Sequence, residues 1–403
     1  MKNDVYILGG YQTDFSRNWS KENKHISAMM YEAYEGSLSD VNIDKDDVSS
    51  ILVSNFLGES YCNQGMLGAF PVDFEQTWNG IPTMRVEAAC ASGSVAIISA
   101  MSYVKAGIYD VVCVIGVEQM KTVDAKVGSD FLGYASWYDR EAKDSNFPMP
   151  KLFNKLQEEY GKRYGIDRGY LAKIADINYG NAKRNPNAQT RDWYMSFDHA
   201  NTVGEYNTLI EGDIRTTDCS QITDGSVCLY IASEKFVKER NLKGVSKILG
   251  WGHTTTSMEY DKKMSLSKDS NYVLPFTRKA ILDSFKKAGI KSCWDLDCLE
   301  VHDCFTITEY MAIDHFGLTY PGRSFEAIED GAIEMTGRLP INPSGGLIGC
   351  GHPVGATGVR QVLDAHKQVV NKAGSYQIEG ASKVATLNIG GAGTTSVSFV
   401  IGK

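Results

Sequence analysis

The first 120 residues alternate between short apolar runs and longer segments with polar residues at helical spacing. The apolar runs predict buried strands, and the longer segments predict helices. The strands are "VYILGG", "VSSILVSNF" and "YDVVCVIGVEQM", and the helices are "HISAMMYEAYEGSLSDV" and the small-residue segment "SGSVAIISAMSYVKAG". Strands that alternate with helices are typical of βαβ units. The pattern therefore predicts an α/β fold built on a mainly parallel sheet.

The last third of the chain repeats this layout. A helix, a polar linker with Asp and an apolar strand occur in "AYEGSLSDVNIDKDDVSSILVSNF" and again in "ILDSFKKAGIKSCWDLDCLEVHDCF". A second small-residue helix, "GATGVRQVLDAHKQVV", matches the helix after Cys90, and "VATLNIGGAGTTSVSFVIGK" matches the central strand hairpin. We therefore expect two similar α/β halves. Their Gly-, Ala- and Ser-rich helices would pack together, because small residues permit close approach of two backbones.

The residues between the two halves have a different composition. Charged, aromatic and proline residues are mixed in "WYDREAKDSNFPMPKLF" and "NAKRNPNAQTRDWY", and "GSVCLYIAS" then predicts a return to the sheet. We interpret residues 121–224 as an inserted loop domain that covers the substrate. Residues 1–120 and 225–265 would form the N-terminal half, and residues 266–403 the C-terminal half.

Composition narrows the class of protein. The 403-residue chain has a net charge of −8 and no Lys/Arg-rich run, so nucleic acid is not an expected partner. No apolar run approaches the roughly 18 residues of a membrane span, and the chain opens on a strand rather than a secretory leader. The nine cysteines are scattered without CxxC pairs, which favours a reducing compartment and argues against structural zinc. These features predict a cytoplasmic protein.

Cys90 lies in "VEAACASGSVAII", where a strand is predicted to run into a helix. A helix start directs free backbone N–H groups and the positive end of the helix dipole at nearby groups. At Cys90 this would raise the thiolate fraction of the thiol, which is small for a free cysteine at neutral pH. The position fits a nucleophile or an ordinary buried cysteine.

A second candidate is His352 in "GGLIGCGHPVGATG", where it lies between glycine and proline ahead of a small-residue helix. Glycines allow a ligand to approach the backbone closely, and a histidine can accept the proton of a cysteine nucleophile. The alternative is an ordinary loop histidine beside a turn. Cys350, two residues earlier, is not expected to take part.

Two more segments have features of a site. "EVHDCF" ends a predicted strand, where alternation places His302 and Cys304 on one side and Asp303 on the other. A structural core histidine is the alternative for His302. "LNIGGAGTT" is glycine-rich but runs into a strand rather than a helix, so it is not a dinucleotide-binding motif. Its backbone N–H groups can bind an oxyanion instead.

In this order and spacing, the four segments resemble those of the thiolase superfamily over nearly the whole chain. "CASGSVAI" resembles the nucleophile loop, and "GHPVGATG" resembles the loop with the activating histidine. "DCSQITDGSVCLYIASE" and "YGNAKRNPNAQ" are also similar to thiolase segments. The resemblance implies a thiolase-like five-layered αβαβα architecture, with two duplicated halves and an inserted loop domain, in a molecule that is at least a homodimer.

Two positions depart from the pattern of many thiolases. "HDCF" stands where an Asn-Glu-Ala-Phe segment is common, and Asn388 stands where a proton-shuttling cysteine is common. The combination is similar to sterol-carrier-protein-type thiolases and archaeal-type acetoacetyl-CoA thiolases. The resemblance to the former implies that Cys304 replaces the missing acid/base.

The resemblance also implies a role for each candidate residue. Cys90 would carry the acyl group, His352 would take its proton, and Cys304 would exchange the C2 proton of the substrate. The His302 and His352 side chains would hold the thioester enolate, and the backbone N–H groups of Cys90 and Gly390 would hold the tetrahedral intermediate. The implied reaction is cleavage of a 3-oxoacyl-CoA by coenzyme A, as in β-oxidation, or the reverse Claisen condensation. Coenzyme A is then a co-substrate, and no tightly bound cofactor or metal is implied.

The phosphates of coenzyme A need cations at the mouth of a narrow, mostly uncharged tunnel. A solvated charged face is the favoured interpretation of each cation taken singly. The candidates in the inserted domain are Lys151, Lys155, Lys162, Arg163, Lys183 and Arg184.

The inserted domain also bears on the acyl group and on partners. Its aromatic segment "YASWYDREAKDSNFPMPKLF" fits a pocket for a bulky or aromatic acyl group, or the core of the loop domain, which we favour. Some thiolases of this subgroup work with a small OB-fold, zinc-ribbon partner protein, and the resemblance leaves such a partner open.

Two other functions fit part of the pattern. A decarboxylating ketosynthase-like condensing enzyme uses one cysteine and two histidines, which Cys90, His302 and His352 would supply. Such an enzyme has no need of Cys304, because loss of CO₂ generates its carbanion. A non-catalytic acyl-CoA-binding subunit would not need to retain both Cys90 and His352. We therefore favour an acyltransferase of the thiolase type.

Overall fold

The computed structural model describes residues 4–403, so the first three residues of the predicted N-terminal half lie outside it. The strands are β1 (Val5–Gln12), β2 (Ser50–Ser54), β3 (Thr83–Val86), β4 (Val111–Glu118), β5 (Leu209–Glu211), β6 (Ile214–Arg215), β7 (Gly225–Ser233), β8 (Ser246–Thr255), β9 (Cys298–Glu300), β10 (Lys383–Gly390) and β11 (Thr395–Gly402). The helices are α1 (Ile26–Ser37), α2 (Gly58–Cys62), α3 (Pro71–Phe74), α4 (Ser92–Lys105), α5 (Ala125–Leu132), α6 (Pro148–Tyr164), α7 (Arg168–Ala182), α8 (Phe197–Asn201), α9 (Glu234–Glu239), α10 (Tyr260–Leu266), α11 (Pro275–Ala288), α12 (Thr306–Phe316), α13 (Ser324–Glu329), α14 (Gly346–Cys350) and α15 (Thr357–Val369).

Nine of these strands form one mixed sheet in the order β3-β2-β4-β7-β1-β8-β11-β10-β9. β2 pairs in parallel with β3 and with β4, and β9 pairs in parallel with β10. The other neighbours are antiparallel. The expectation of a mainly parallel sheet is therefore wrong. The reason is that β7 returns beside β4 after the inserted residues, and β11 returns beside β10 through a short turn, so each half contains a reversed strand.

The strand order is the same in both directions from the central β1–β8 pair. On one side the order is β1, β7, β4, β2 and β3. On the other side it is β8, β11, β10 and β9, followed by a single parallel bridge between Leu299 and Ile341 in the place of β3. α1 precedes β2 as α11 precedes β9, and α4 precedes β4 as α15 precedes β10. The duplicated halves are thus confirmed. The domain boundaries stay a prediction, and this symmetry favours assigning β8 to the C-terminal half.

Helices α4 and α15 pack against each other between the two halves of the sheet, while α1 and α11 cover its outer faces. Glycine lies where the two central helices meet. A Cβ atom on Gly93 would lie 2.7 Å from the backbone nitrogen of Val359, and one on Gly358 would lie 2.3 Å from that of Ser94. The αβαβα layers and the close packing of the small-residue helices are therefore as predicted.

The inserted residues 121–224 contain α5 to α8 and the β5–β6 ribbon. Apolar residues of α6 and α7 share a buried cluster with α12 of the C-terminal half. Within it, the ring of Phe153 in α6 stacks on that of Phe305 with the centroids 4.3 Å apart. This contact holds the inserted residues over the segment that precedes α12. No helix of residues 4–403 is both long and apolar enough to cross a membrane.

Candidate active site

Cys90 lies in one 3₁₀ turn between β3 and α4, as the sequence predicts for a nucleophile at a helix start. The preceding Ala89 has a φ of +50°, a conformation that is strained for a residue with a side chain. Cys90 is only 9% exposed, and burial raises the pKa of its thiol to about 12. The backbone N–H groups of Gly391 and of Cys90 itself oppose this shift. The expectation of a raised thiolate fraction is thus wrong for the free protein, because burial outweighs the donors.

His352 is held in one tautomer by its neighbours. The hydroxyl of Thr357 donates to the carbonyl oxygen of Pro353 at 2.9 Å, so its oxygen accepts the N–H of His352 Nδ1 at 2.6 Å. Nε2 then carries the lone pair. Burial, together with the charge of Arg360, lowers the pKa of His352 to about 3, which keeps the ring neutral. His352 is therefore a base that presents Nε2.

His302 has the opposite tautomer. The side-chain amide of Asn388 donates to the carbonyl oxygen of Cys90 at 3.0 Å, so its nitrogen faces the nucleophile loop. The same nitrogen lies 3.2 Å from Nδ1 of His302, which must accept, and the ring proton is then on Nε2. That buried Nε2 has no protein partner among the described residues. Burial, with His352 and Arg360 as further causes, lowers the pKa of His302 well below its usual range.

These three side chains meet at one point. A ligand atom of each of Cys90, His302 and His352 lies within 4.8 Å of the other two. Within residues 4–403 they are also the group of His, Cys and acidic side chains that could hold a metal ion, since thiolate and imidazole are ligands of zinc. A neutral acceptor nitrogen, a neutral donor nitrogen and a thiol can equally carry out acyl transfer without a metal.

Cys304 lies beside this group. β9 ends at Glu300, so His302 to Cys304 form a loop ahead of α12 rather than a strand. The carboxylate of Asp303 accepts the backbone N–H of Leu347 at 2.6 Å, whereas Cys304 lines the same cavity as Cys90. Burial, with the neighbouring Cys90 as second cause, raises the pKa of Cys304 well above its usual range. The thiol is therefore protonated and can act as an acid.

The glycine-rich segment abuts the nucleophile loop. Gly390 ends β10, and a Cβ atom there would lie 2.4 Å from the carbonyl oxygen of Ala88. The backbone N–H of the next residue, Gly391, lowers the pKa of the Cys90 thiol against the larger effect of burial. The pairing of Cys90 and Gly390 as oxyanion donors stays a prediction, and Gly391 is a donor that the sequence did not single out.

The cavity between the inserted domain and the catalytic residues has a volume of about 190 Å³. Its lining is mostly apolar, with hydroxyl, amide, thiol and imidazole groups as the polar part. Four residues of the aromatic segment contribute to the wall, namely Phe147, Met149, Pro150 and Phe153. The other lining residues are Cys90, Met120, Ala125, Ser129, Leu132, Ile210, Thr216, Cys219, Ser220, Gln221, Ile222, Cys304, Phe305, His352 and Val354.

None of the six cations proposed for phosphate lines this cavity. Lys151, Lys155, Lys162 and Arg163 lie on α6, and Lys183 and Arg184 follow α7. The guanidinium group of Arg163 donates hydrogen bonds to the carboxylate of Glu159 at 2.7 Å and to the hydroxyl of Ser267 at 2.8 Å. Lys151 directly follows the cavity residue Pro150, which makes it the candidate nearest the wall in sequence. Their role stays a prediction.

A buried carboxylate that the sequence did not indicate joins the two halves behind the site. Glu118, at the end of β4, accepts the backbone N–H groups of Phe56 and Gly355, each at 2.9 Å, and of Leu57 at 3.0 Å. Gly355 belongs to the His352 loop. Burial raises the pKa of Glu118 to about 7 in spite of these donors. No local sequence signal marks this residue, because its partners come from two distant segments.

Comparison with known proteins agrees with the fold. Residues 5–193 match the family "Thiolase, N-terminal domain", and residues 259–403 match "Thiolase C-terminal domain-like". The acetyl-CoA acetyltransferase of Methanothermobacter thermautotrophicus is 31% identical over 402 residues, which cover 99% of this chain and 100% of that protein. The sterol carrier protein 2 of Gallus gallus is 29% identical over 410 residues, which cover 99% of this chain and 72% of that protein.

Solved structures show the same fold. The human mitochondrial 3-ketoacyl-CoA thiolase in complex with CoA is similar with a TM-score of 0.73 at 17% identity, over 100% of this chain and 98% of that one. The Ltp2-ChsH2(DUF35) aldolase is similar with a TM-score of 0.78 at 19% identity, over 99% and 97%. The chain belongs to the thiolase family, as its motifs predicted. It is an acyltransferase.

Proposed function

We propose that the chain is a thiolase that cleaves a 3-oxoacyl-CoA with coenzyme A, or runs the reverse Claisen condensation, through an acyl group on Cys90. The observation that carries the proposal is the meeting of Cys90, His302 and His352 within 4.8 Å, beside a cavity that Cys90, His352 and Cys304 line. A nucleophilic thiol, a base, an oxyanion donor and a second acid/base are the groups that this reaction needs.

The first step joins the acyl group to Cys90. In the free protein the Cys90 thiol and the His352 ring are both neutral, with pKa values of about 12 and about 3. Proton transfer to Nε2 of His352 therefore accompanies attack of the sulfur on C3 of the substrate, rather than preceding it. The backbone N–H groups of Cys90, Gly390 and Gly391 are the donors available for the negative charge on the C3 oxygen.

The second step breaks the C2–C3 bond. The thioester part leaves as an enolate, and the Nε2–H of His302 donates to its oxygen. Cys304 gives its proton to C2, which completes acetyl-CoA or a larger CoA ester. Coenzyme A then attacks the acyl group on Cys90: its thiol proton goes to the Cys304 thiolate, and the proton on His352 returns to Cys90. Each proton taken is thereby returned, and the condensation uses the same steps in reverse.

The cavity favours an uncharged, apolar acyl group larger than acetyl. Its volume of about 190 Å³ exceeds the roughly 150 Å³ of a protein cavity that binds benzene. Phe147, Met149 and Phe153 line it, so part of the aromatic segment supports the pocket that the sequence left as an alternative. Tyr134 and Trp137 of the same segment are 41% and 40% exposed and do not line the cavity.

Coenzyme A would reach this cavity past the inserted domain. We keep Lys151 and its neighbours on α6 as the candidates for its phosphates, because α6 supplies Met149, Pro150 and Phe153 to the wall. A helix that forms the wall can place its cations at the cavity entrance. The phosphate role of Lys183 and Arg184 has less support, since neither residue neighbours a lining position.

We also propose that the chain acts as a homodimer or in a larger assembly. β3 lies at the edge of the sheet with one side unpaired among the described residues, and it ends four residues before Cys90. An exposed strand edge favours pairing with another chain. The similarity to the Ltp2-ChsH2(DUF35) aldolase supports a search for a second, small partner protein. Analytical ultracentrifugation and co-purification followed by zinc analysis test both points.

The proposed reaction is tested by product analysis. Purified protein is incubated with coenzyme A and a panel of 3-oxoacyl-CoA esters with acetoacetyl, longer straight-chain, branched and aromatic acyl groups. The proposal expects two CoA esters from each substrate that is used, with faster turnover for apolar acyl groups larger than acetyl. Absence of thiolysis with every ester, with and without a co-purifying partner, would contradict it.

A further inference from the structure

Lys263 of α10 is a buried cation to which the mechanism above gives no role. It is only 5% exposed, and lysine is rarely buried so deeply without a specific partner. Nζ donates to the carbonyl oxygen of Ala392 at 2.8 Å and to Oγ1 of Thr394 at 3.0 Å. Both acceptors belong to residues 391–394, the turn between β10 and β11, which we name the glycine turn.

The glycine turn follows Gly390, which packs against the Cys90 loop: a Cβ atom on Gly390 would lie 2.4 Å from the carbonyl oxygen of Ala88 and 3.3 Å from the backbone nitrogen of Ala91. The backbone N–H of Gly391 favours the anion of the Cys90 thiol. Gly391 has a φ of +60°, and a Cβ atom there would lie 2.5 Å from the carbonyl oxygen of Ala135. The turn is therefore confined, and a small displacement would move this N–H away from the sulfur.

Lys263 connects the glycine turn to the inserted domain. The neighbouring Tyr260 donates its hydroxyl to the carbonyl oxygen of Lys155 at 2.8 Å and its backbone N–H to the carboxylate of Glu141 at 2.6 Å. Burial lowers the pKa of Lys263 to about 8, and the charge of Glu141 opposes that shift. A neutral amine still donates two hydrogens, so the contact with the turn does not depend on the protonation state.

Removal of the Lys263 ammonium group would disturb the turn directly. The carbonyl of Ala392, in a residue that is 2% exposed, would lose the donor that Nζ provides. A buried carbonyl without a partner is unfavourable, so the backbone would shift to reach water or another donor. The shift would include the peptide group that carries the Gly391 N–H.

We propose that Lys263 is a positioning residue: it fixes the glycine turn so that the N–H of Gly391 stabilises negative charge at Cys90. During turnover the same N–H would face the charge that develops on the bound acyl group. That second statement rests on the proposed function, whereas the effect of the Gly391 N–H on the Cys90 thiol is independent of any acyl-CoA.

The test compares Lys263→Met with Lys262→Met. Methionine keeps the length and the apolar stem of lysine but has no donor, and Lys262 is the exposed neighbour on the same helix. Iodoacetamide alkylation of Cys90 is followed by peptide mass spectrometry at a fixed pH below the thiol pKa, where the rate is proportional to the thiolate fraction. We expect Lys263→Met to slow it about tenfold, the effect of one hydrogen bond to a charged group, and Lys262→Met to leave it unchanged.

Steady-state kinetics give the second readout. Lys263→Met should lower kcat about tenfold with KM within about twofold, because the turn acts on developing charge rather than on substrate binding. If Lys263→Met does not fold, Thr394→Val removes one of the two acceptors and should slow alkylation to a smaller extent, about threefold. Equal alkylation rates in wild type and in the variant that folds would overturn the proposal. Slowed alkylation in a protein without thiolase turnover would uphold it and reject the proposed function instead.

Discussion

The imidazole rings of His302 and His352 stand at 87° to each other with their centroids 5.3 Å apart. Burial keeps both rings neutral, and their hydrogen-bond partners give them opposite tautomers. The hydroxyl of Thr357 accepts from His352, whereas the amide of Asn388 donates to His302. One ring therefore presents an acceptor nitrogen and the other a donor, as the proposed roles of base and oxyanion ligand require.

The donor role of His302 predicts a large loss on truncation. His302→Ala should lower kcat by about 10²- to 10³-fold, since loss of one oxyanion donor typically costs roughly 2.7–4 kcal/mol. Alkylation of Cys90 by iodoacetamide should continue, because His302 is not the base. Steady-state thiolysis and the alkylation rate provide the two measurements. Near-normal turnover of this variant would contradict the assignment.

Asn388 should act through His302. Asn388→Asp places an acceptor at His302 Nδ1, so the ring proton moves to Nδ1 and Nε2 loses its donor. We expect a loss of kcat comparable to that of His302→Ala, about 10²- to 10³-fold. The double variant His302→Ala/Asn388→Asp should then lose less than the product of the two single losses, because both changes remove the His302 donor, while Asn388→Asp also removes the hydrogen bond to the Cys90 carbonyl oxygen. Additive losses in this double-mutant cycle would show that Asn388 works independently of His302.

Cys304 distinguishes a thiolase from a decarboxylating condensing enzyme. Cys304→Ala should lower thiolysis by about 10²- to 10⁴-fold, the usual contribution of a general acid or base. Acylation of Cys90 by a simple acyl-CoA should be spared, because it requires no proton transfer at C2. Cys219→Ala is the matched control, since Cys219 is also buried and lines the same cavity. Full thiolase activity in Cys304→Ala would place the C2 acid/base elsewhere.

The sequence predicts the architecture well because the same pattern of elements occurs in both halves of the chain. Helix, linker and strand recur in both halves, and the four motifs lie at the predicted ends of these elements. The expectation of a mainly parallel sheet is wrong, since apolar runs do not indicate strand direction. The expectation of a raised thiolate fraction at Cys90 is wrong as well, since the local sequence indicates a helix start but not the burial of the sulfur.

The supporting residues of the site could not be predicted. Asn388, Glu118 and Lys263 act through contacts with segments far away in the chain. Nothing in the local pattern of Glu118 or Lys263 distinguishes them from ordinary strand or helix residues, and Asn388 stands out only as a departure from the pattern of many thiolases. The proposed catalytic residues could be singled out because glycine and cysteine motifs mark them, whereas the residues that orient them carry no such mark.

Acid should destabilise the protein through its buried neutral histidines. His366 is buried, with Nδ1 at 2.8 Å from the Ser246 hydroxyl, and burial lowers its pKa from 6.5 to about 3. In the unfolded chain His366 binds a proton below pH 6.5, whereas in the folded protein it binds one only below about pH 3. Within that window each such histidine lowers the free energy of unfolding by about 1.4 kcal/mol per pH unit, and above pH 6.5 it has no effect.

This linkage is measured by urea unfolding between pH 4 and pH 7. His366→Gln should reduce the slope of the free energy of unfolding against pH by roughly the amount given above. The same change at the exposed His25 should leave the slope as it is in the wild type. Equal slopes for all three proteins would show that His366 is protonated in the folded state.

The central claim, an acyl group carried by Cys90, is tested most directly by intact-protein and peptide mass spectrometry. The wild type is exposed to a 3-oxoacyl-CoA in the absence of coenzyme A, and coenzyme A is then added. The account predicts an acyl adduct on the peptide that contains Cys90, release of the shorter CoA ester, and loss of the adduct once coenzyme A is present. Cys90→Ser should form no adduct. An adduct on Cys304 or Cys219, or thiolysis by Cys90→Ser, would contradict the account.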